Sequence, residues 1–512
     1  MAYQPISFRG FGRGLNLRDK VDAVSEEECI DALNVVFTER GAVKQRTGYD
    51  NFGAALTNSV ASLHAHYRAG TTPQLLAGCG TRLEALDNAG AVVASDAGLT
   101  TGTWDFVRFG TPNAEVSYAG QGDTTLRSWD GSAWANVANT PKAGALAVMA
   151  VSNRIVAGRF NVTTGGPTGG ASTSSPSHVY FSDAGSATAW TATNFLQFTP
   201  GDGEKVQAVI AWREFVFVFK ETKFFVIYGE SQDAAGDPVF EYRTVDTGVG
   251  LASPRAVAAD DTGVYFLHRR GVYRTTGGEP ELLSSNIDPI FLGGASDFYL
   301  GGTLDHADIT TSALTCHDGR IYLSFTTDST NNRTLVYDTG GEWWSLWDLA
   351  ASCHVSFKLS GQPELFFGYA AGTKNVGRHN SSYTSDDGTA ITSRWRSGWQ
   401  DFGVSDTKTS RERKAWGSGR VSTAVSTDFQ VTPGDVAQLD FSDPTASVWE
   451  SGFWEIGSWS TGAGLISDLD RRAKRGTVFS TYFYNATLNQ DWGVHRLDHH
   501  LREARVPSMK AA

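Results

Sequence analysis

The 512-residue chain is longer than one hydrophobic core can serve, since single cores stop growing at about 250 to 300 residues, so more than one module is expected. With 43 Lys and Arg against 55 Asp and Glu the formal net charge is −12, which argues against a sequence-independent nucleic-acid binder: the whole surface would repel a polyanion. Gly (56), Phe (29), Tyr (16) and Trp (15) are abundant while Met is only 3, a bias toward strands and tight turns rather than helices.

The amino terminus, MAYQPISFRGFGRG, carries Arg and Gly without an apolar stretch, and no run approaches 18 uninterrupted apolar residues. Neither a secretion signal nor a membrane span is expected. Ser25 followed by Glu26, Glu27 and Glu28 has capping-box spacing, and Cys29, Ile30 and Leu33 form a stripe behind it, which predicts a short helix over 26–33. The next stretch, NVVFTERGAVKQRTGYD, reads as strand, turn at Glu39-Arg40-Gly41, strand, with Gly48 ending it. The four cysteines, Cys29, Cys79, Cys316 and Cys353, lie far apart and read as reduced, mostly buried thiols.

From 55 to 385 the pattern becomes short apolar runs punctuated by Gly, Asp and Asn, with cores recurring at about 40 to 60 residues, the period of propeller blades with variable loops. Seven candidate units predict six or seven blades, since one small sheet cannot bury both faces alone and radial packing solves that problem. The Gly/Ser/Thr-rich stretch 161–177 is expected to be a loop. SDAGSATAW (182–190) resembles the Asp-box turn of sialidase-like propellers, with Ala184 where the box's Asp would fall, and reads as turn structure, not as a catalytic element. Beyond 386 the composition shifts to a basic, Trp-containing stretch and then to alternating segments, including 448–459 and 474–497, that suggest a β-sandwich-like module ending in a flexible tail. The predicted class is therefore all-β, with a docking segment over 1–54, a propeller over 55–385 and a carboxy-terminal module over 386–512.

Candidate chemistry is sparse. His64 and His66 stand two apart, so on a strand they would share a face, but no third metal ligand is near. His495, His499 and His500 with Asp498 read as a solvated run near the chain end. Trp343, Trp344 and Trp347, like Trp449, Trp454 and Trp459, could stack on sugars but suit a core better. A glycosidase would need two carboxylates across a cleft at roughly 5 to 10 Å, and nothing singles out a pair. No catalytic residue, metal site or cofactor is expected.

The run FRGFGRGLNLRDKVDAVSEEECIDALNVVFTERGAVKQRTGY resembles the opening of phage tail hub or nozzle proteins, with the shared positions at Gly14, Asn16, Asn34, Gly41, Arg46, Gly48 and Tyr49 and with Thr47 where Pro is frequent. GDGEKVQAVIAWREFVFVFKETKFFVIY (201–228) is similar to a blade of those propellers, followed by a turn matched at GVGLASPRAV (248–257). The likeness covers roughly residues 8–350. It implies a structural virion protein made in the host bacterial cytoplasm: one subunit of a homohexameric ring around the DNA-ejection channel, below the portal and adaptor rings, carrying tail fibres or spikes. In that reading the Arg46 and Gly48 turn anchors the chain entry and Asn34 caps backbone groups where helix meets strand. The genome would pass an acidic lumen without specific binding, because a basic one would release counterions and hold the phosphates. Arg411, Arg413 and Lys414 are then expected to face neighbouring subunits or the rings above. The alternative is a receptor- or glycan-binding propeller at the tail tip.

Overall fold

The computed structural model describes residues 4–503 except 9, 39, 101, 162–165, 168–175, 235–237, 371, 404–405, 433–435, 442–445, 448–457 and 460–465. Most of the predicted loop at 161–177, Trp449, Trp454 and the tail beyond 503 lie outside the described residues.

The molecule is an all-β propeller joined to a carboxy-terminal sheet module. Six separate four-stranded antiparallel sheets have inner strands at Val60–His66, Asp105–Phe109, Ala143–Met149, Ala208–Trp212, Val257–Ala259 and Ala351–Ser360. A seventh four-stranded unit, from Ala313–His317 to Trp343–Trp347, fills the remaining place in the ring and continues by hydrogen bonds into a larger sheet. Successive inner strands pack side by side, and Ala351–Ser360 meets Val60–His66 to close the circle. There the Ser352 hydroxyl donates to the Val60 carbonyl at 2.5 Å.

The first blade shows the burial gradient that radial packing demands, whereas the seventh unit's outer strand Trp343–Trp347 is buried under the adjoining sheet. In the first, Leu75 through Cys79 are buried on both faces, whereas the outer strand Val92–Ala97 is largely exposed. The Asp-box-like segment is the turn it resembles, joining His178–Phe181 to Phe195–Gln197. Asp183 accepts from the Asn194 side chain at 3.0 Å, Ser186 accepts from the Ala189 amide, and Trp190 is buried beneath.

The predicted helix over 26–33 is not present. Ser25 and Glu28 do exchange the capping contacts: the Glu27 amide donates to Ser25 Oγ and the Ser25 amide to the Glu28 carboxylate. They close a turn, and Glu28–Leu33 then runs as a strand. Cys29 through Leu33 are buried without interruption, which a one-sided helical stripe could not satisfy. The strand lies antiparallel to Ser393–Ser397 and touches Trp343–Trp347 in parallel at Leu33 and Leu346, so it covers what would otherwise be an exposed blade edge. The only α-helix among the described residues is the single turn Pro289–Leu292.

The amino-terminal stretch also completes the ring. Tyr49–Phe52 is the outer strand of the last blade, paired antiparallel with Val376–His379, so the closing sheet is built from both ends of the propeller. Val35–Phe37 and Val43–Gln45 form the expected hairpin, with Gly41 at φ 74° in its turn. In the carboxy-terminal module the 20-residue strand Lys408–Thr427 pairs with Trp492–Glu503 along its first part and with Phe479–Asn485 along its last, so that one strand serves two sheets. Phe11 packs edge-on against Trp395, which stacks on Phe483, within a core cluster that runs unbroken into the fifth and seventh units through Tyr265 and Trp344.

A Cβ at Gly48 would overlap the Ser385 carbonyl oxygen, and the Gly48 amide donates to the Tyr383 carbonyl at 2.7 Å. Gly48→Ala should therefore lift Tyr49–Phe52 from the closing blade at a cost of about 1 to 3 kcal/mol. Hydrogen exchange would show this as faster exchange of Val376–His379 with Leu75–Cys79 still protected; unchanged protection at Val376–His379 would refute the closure.

Candidate functional site

The seven residues singled out in the amino-terminal run do not gather in one place; Asn34, Arg46, Gly48 and Tyr49 lie at the junction between propeller and carboxy-terminal module. Asn34 sits between two strands at φ 53°, a left-handed conformation that asparagine tolerates better than most residues. Its side-chain amide donates to the Asp348 carboxylate at 2.6 Å and the Thr392 carbonyl at 2.7 Å. Its Oδ1 accepts from the Asp348 amide and from Arg46 Nε at 2.9 Å. The capping role is thus present, but between strand and strand.

Arg46 is fully buried on its side chain and grips Asp386 with both terminal nitrogens, at 2.8 and 2.6 Å, while Nη2 also lies 3.4 Å from Asp348. Its guanidinium faces the rings of Trp347 and Tyr49 at 5.4 and 5.9 Å. Burial acts to weaken its hold on the proton, but the Asp386 carboxylate more than offsets that, so the group stays charged. Tyr49 packs edge-on to Phe367, Tyr369 and His379, and burial raises its hydroxyl pKa. Four motif residues, Asn34, Arg46, Gly48 and Tyr49, therefore meet at one knot.

Gly14, Asn16 and Gly41 lie away from it. Gly14, at φ 73°, passes so close to the seventh unit that a Cβ would sit 2.6 Å from that of Trp343. Asn16 is buried, donates to Asp19 and Glu28 at 2.9 Å each, and accepts from the Arg18 and Asp19 amides. The Gly41 carbonyl receives the Phe11 amide.

Two other expectations need correction. His499 is not solvated: it is fully buried, its Nε2 lies 3.0 Å from Thr481 Oγ1, and its ring packs on Phe402. Arg413 does not face outward but is buried beside Asp470, its ion-pair partner. The pleat of a strand Trp492–Glu503 sandwiched between neighbours turns every second residue inward, which a count of polar letters does not reveal. Trp343, Trp344 and Trp347 are buried as expected, and Trp459 has no described side chain.

His64 and His66 do share a face, directed at the second blade: His64 stacks on Phe106 and His66 Nδ1 lies 2.8 Å from Ser117 Oγ. Among the described residues no three His, Cys, Asp or Glu side chains form a metal-holding group, and no helix is long and apolar enough to cross a membrane. The four cysteines are unbridged, with Cys316 half-buried and the others buried.

The propeller centre holds charged groups that no sequence pattern marked. A cavity of about 300 Å³ is lined by residues on and next to the inner strands, with Asp105, Arg159 of the third blade's second strand and Arg255 just before Val257–Ala259 among them. Arg255, next to the Ser-Pro turn, donates to the carbonyls of Ala61, Thr311 and Ser352 at 3.0, 2.8 and 3.1 Å, which ties three parts of the ring together. Asp105 accepts from the Leu146 and Phe106 amides, and burial pushes its pKa up to about 6.

Replacing Arg46 by Met would leave Asp386 charged and buried without its partner, so urea unfolding should report a loss of about 3 to 5 kcal/mol. Adding Asp386→Asn should recover part of it, because the two groups act as a pair. A second expectation concerns acid. Burial lowers the pKa of His64, His354 and His499 to about 3, and that of His66 to about 4, from an ordinary 6.5. Between those limits the unfolded chain binds more protons than the folded one. Stability is therefore complete above pH 6.5 and falls as pH drops toward 3, by up to about 1.4 kcal/mol per unit for each group. Denaturant titrations at pH 7 and 5 measure the slope, and His499→Phe should flatten it by about one proton.

No protein-family model and no curated protein sequence matches the chain. Among solved structures it is similar to BBS1N in complex with ARL6DN, soaked with lead or with mercury, in each case at 9% identity over 66% of this chain and 98% of that one, with a TM-score of 0.41. It is also similar to the extracellular domain of the putative hybrid two component system BT4673 from B. thetaiotaomicron, at 13% identity over 65% of this chain and 40% of that one, with a TM-score of 0.36. The chain thus spans less than half of that last protein's length.

Proposed function

We propose that the chain is a non-enzymatic structural subunit of a bacteriophage tail, one of six in a hub or nozzle ring that surrounds the DNA-ejection channel. It would dock to the adaptor or portal-proximal ring and carry fibres or spikes outside. The observation that carries this reading is the knot at Arg46. Four of the seven motif residues that resemble the tail proteins, Asn34, Arg46, Gly48 and Tyr49, sit where the propeller joins a second sheet module, through buried polar bonds and a sheet that runs from one into the other. A two-part body coupled in this way transmits force without hinging at the joint, which suits a ring that must hold its shape while DNA leaves. The burial of Trp343, Trp344 and Trp347 removes that cluster as a sugar-stacking platform and weakens the receptor-binding alternative.

The net charge of −12 fits the same role if carboxylates are concentrated on the axial surface, where repulsion of phosphates keeps the exit free of friction. Electron microscopy of the particle with this chain tagged should place six copies around the tail axis; density at a fibre tip, or none in the particle, would refute the reading. Exchanging several axis-facing carboxylates for Lys should leave assembly intact and slow ejection, and normal ejection by such particles would remove the conduit's electrostatic basis.

A further inference from the structure

One irregular place in the third blade faces the central cavity. In the third blade Ala143 pairs with Phe160 and Ala145 with Gly158, while Gly144 and Arg159 between them drop out of the ladder. Arg159 takes φ 56°, a left-handed conformation costly for a residue with a long side chain. That twist lays the guanidinium over Gly144: Nη2 donates to the Gly144 carbonyl, and a Cβ on Gly144 would come within 2.7 Å of Arg159 Nε. Glycine at 144 is thus what lets the side chain lie there.

Arg159 Nε is shut off from solvent and has no hydrogen-bond partner. Among the described residues neither Arg159 nor Arg255 has a carboxylate within ion-pair distance, whereas the buried Arg46, Arg154 and Arg413 do, and the buried Arg396 is held instead by Ser480 Oγ and the Val431 and Gln430 carbonyls. The one acid in the cavity lining, Asp105, already receives two backbone amides. Two guanidinium groups against one carboxylate leave the lining with a net positive charge, and a buried N–H donor without an acceptor costs free energy that a ligand can restore.

We propose that the propeller centre is a binding site for a small oxyanion, a carboxylate, sulfate or phosphate group, held by the Arg159 and Arg255 guanidinium groups. The planar fork of donors that arginine presents matches such groups. A cavity of about 300 Å³ admits a compact anion and excludes a nucleic-acid strand, so this site is separate from any channel formed around the axis of a ring.

The test is thermal unfolding and calorimetric titration of the full chain in sodium phosphate, sulfate or acetate, each against chloride at equal ionic strength. At least one oxyanion should raise Tm in a saturable way that chloride does not reproduce, and the three salts distinguish the phosphate, sulfate and carboxylate classes. Arg159→Gly is the informative variant, because glycine adopts the left-handed backbone without strain. Its Tm without anion should stay within a few degrees of the parent or rise, and the oxyanion response should vanish. Asp105→Asn removes the competing carboxylate and should tighten anion binding roughly tenfold. No oxyanion effect beyond chloride, an anion response that survives Arg159→Gly, or weaker binding in Asp105→Asn would each overturn the site.

Discussion

A single buried guanidinium organises the joint on which the two halves of this protein depend. Arg46 reaches Asp386 beyond the last blade and Asp348 at the end of the seventh unit, and Asn34 holds it from the amino-terminal segment. An arginine taken this far out of water is tolerable only when its donors are met, and here Nε, Nη1 and Nη2 all have oxygen partners. The cluster also explains why an asparagine stands at 34: the position needs a left-handed backbone, an acceptor for Arg46 and a donor for Asp348 together.

From that joint the rest of the architecture follows. The strand Glu28–Leu33 can cover the seventh unit's outer edge only because the chain is pinned just after it, and Tyr49–Phe52 can close the ring only because the same residues deliver it to Val376–His379. Long-range closure of this kind carries a large chain-entropy cost. The core cluster shared by Phe11, Trp344, Trp395 and Trp492 offsets it with contacts drawn from the amino-terminal segment, the fifth and seventh units and the carboxy-terminal module. Propeller and module are consequently one cooperative body across this face, while smaller cores lie between neighbouring blades elsewhere in the ring.

The ring also carries two kinds of buried charge with different consequences. Arg46, Arg154 and Arg413 are neutralised by carboxylates and read as construction. Arg159 and Arg255 are held by backbone carbonyls alone, which satisfies hydrogen bonds without cancelling charge. A carbonyl is a partner for an N–H group but not for a net positive field, and at the propeller centre two guanidinium groups held in this way line one cavity.

The sequence by itself determined the all-β class and the repeating blade pattern, because apolar runs, Gly-rich turns and an abundance of aromatic residues are local properties. It also marked Asn34, Arg46, Gly48 and Tyr49, although not what they touch. Tertiary structure alone decided that Glu28–Leu33 is a strand: the capping contacts at Ser25 and Glu28 form either way, and burial on both faces overrides them. It decided the closing of the ring, since the last blade pairs residues more than 300 positions apart. The inward turn of His499 and Arg413 and the meeting of Asp105, Arg159 and Arg255 were likewise settled by packing. Each of these depends on which distant strand lies alongside, and neither side-chain periodicity nor local propensity carries that information.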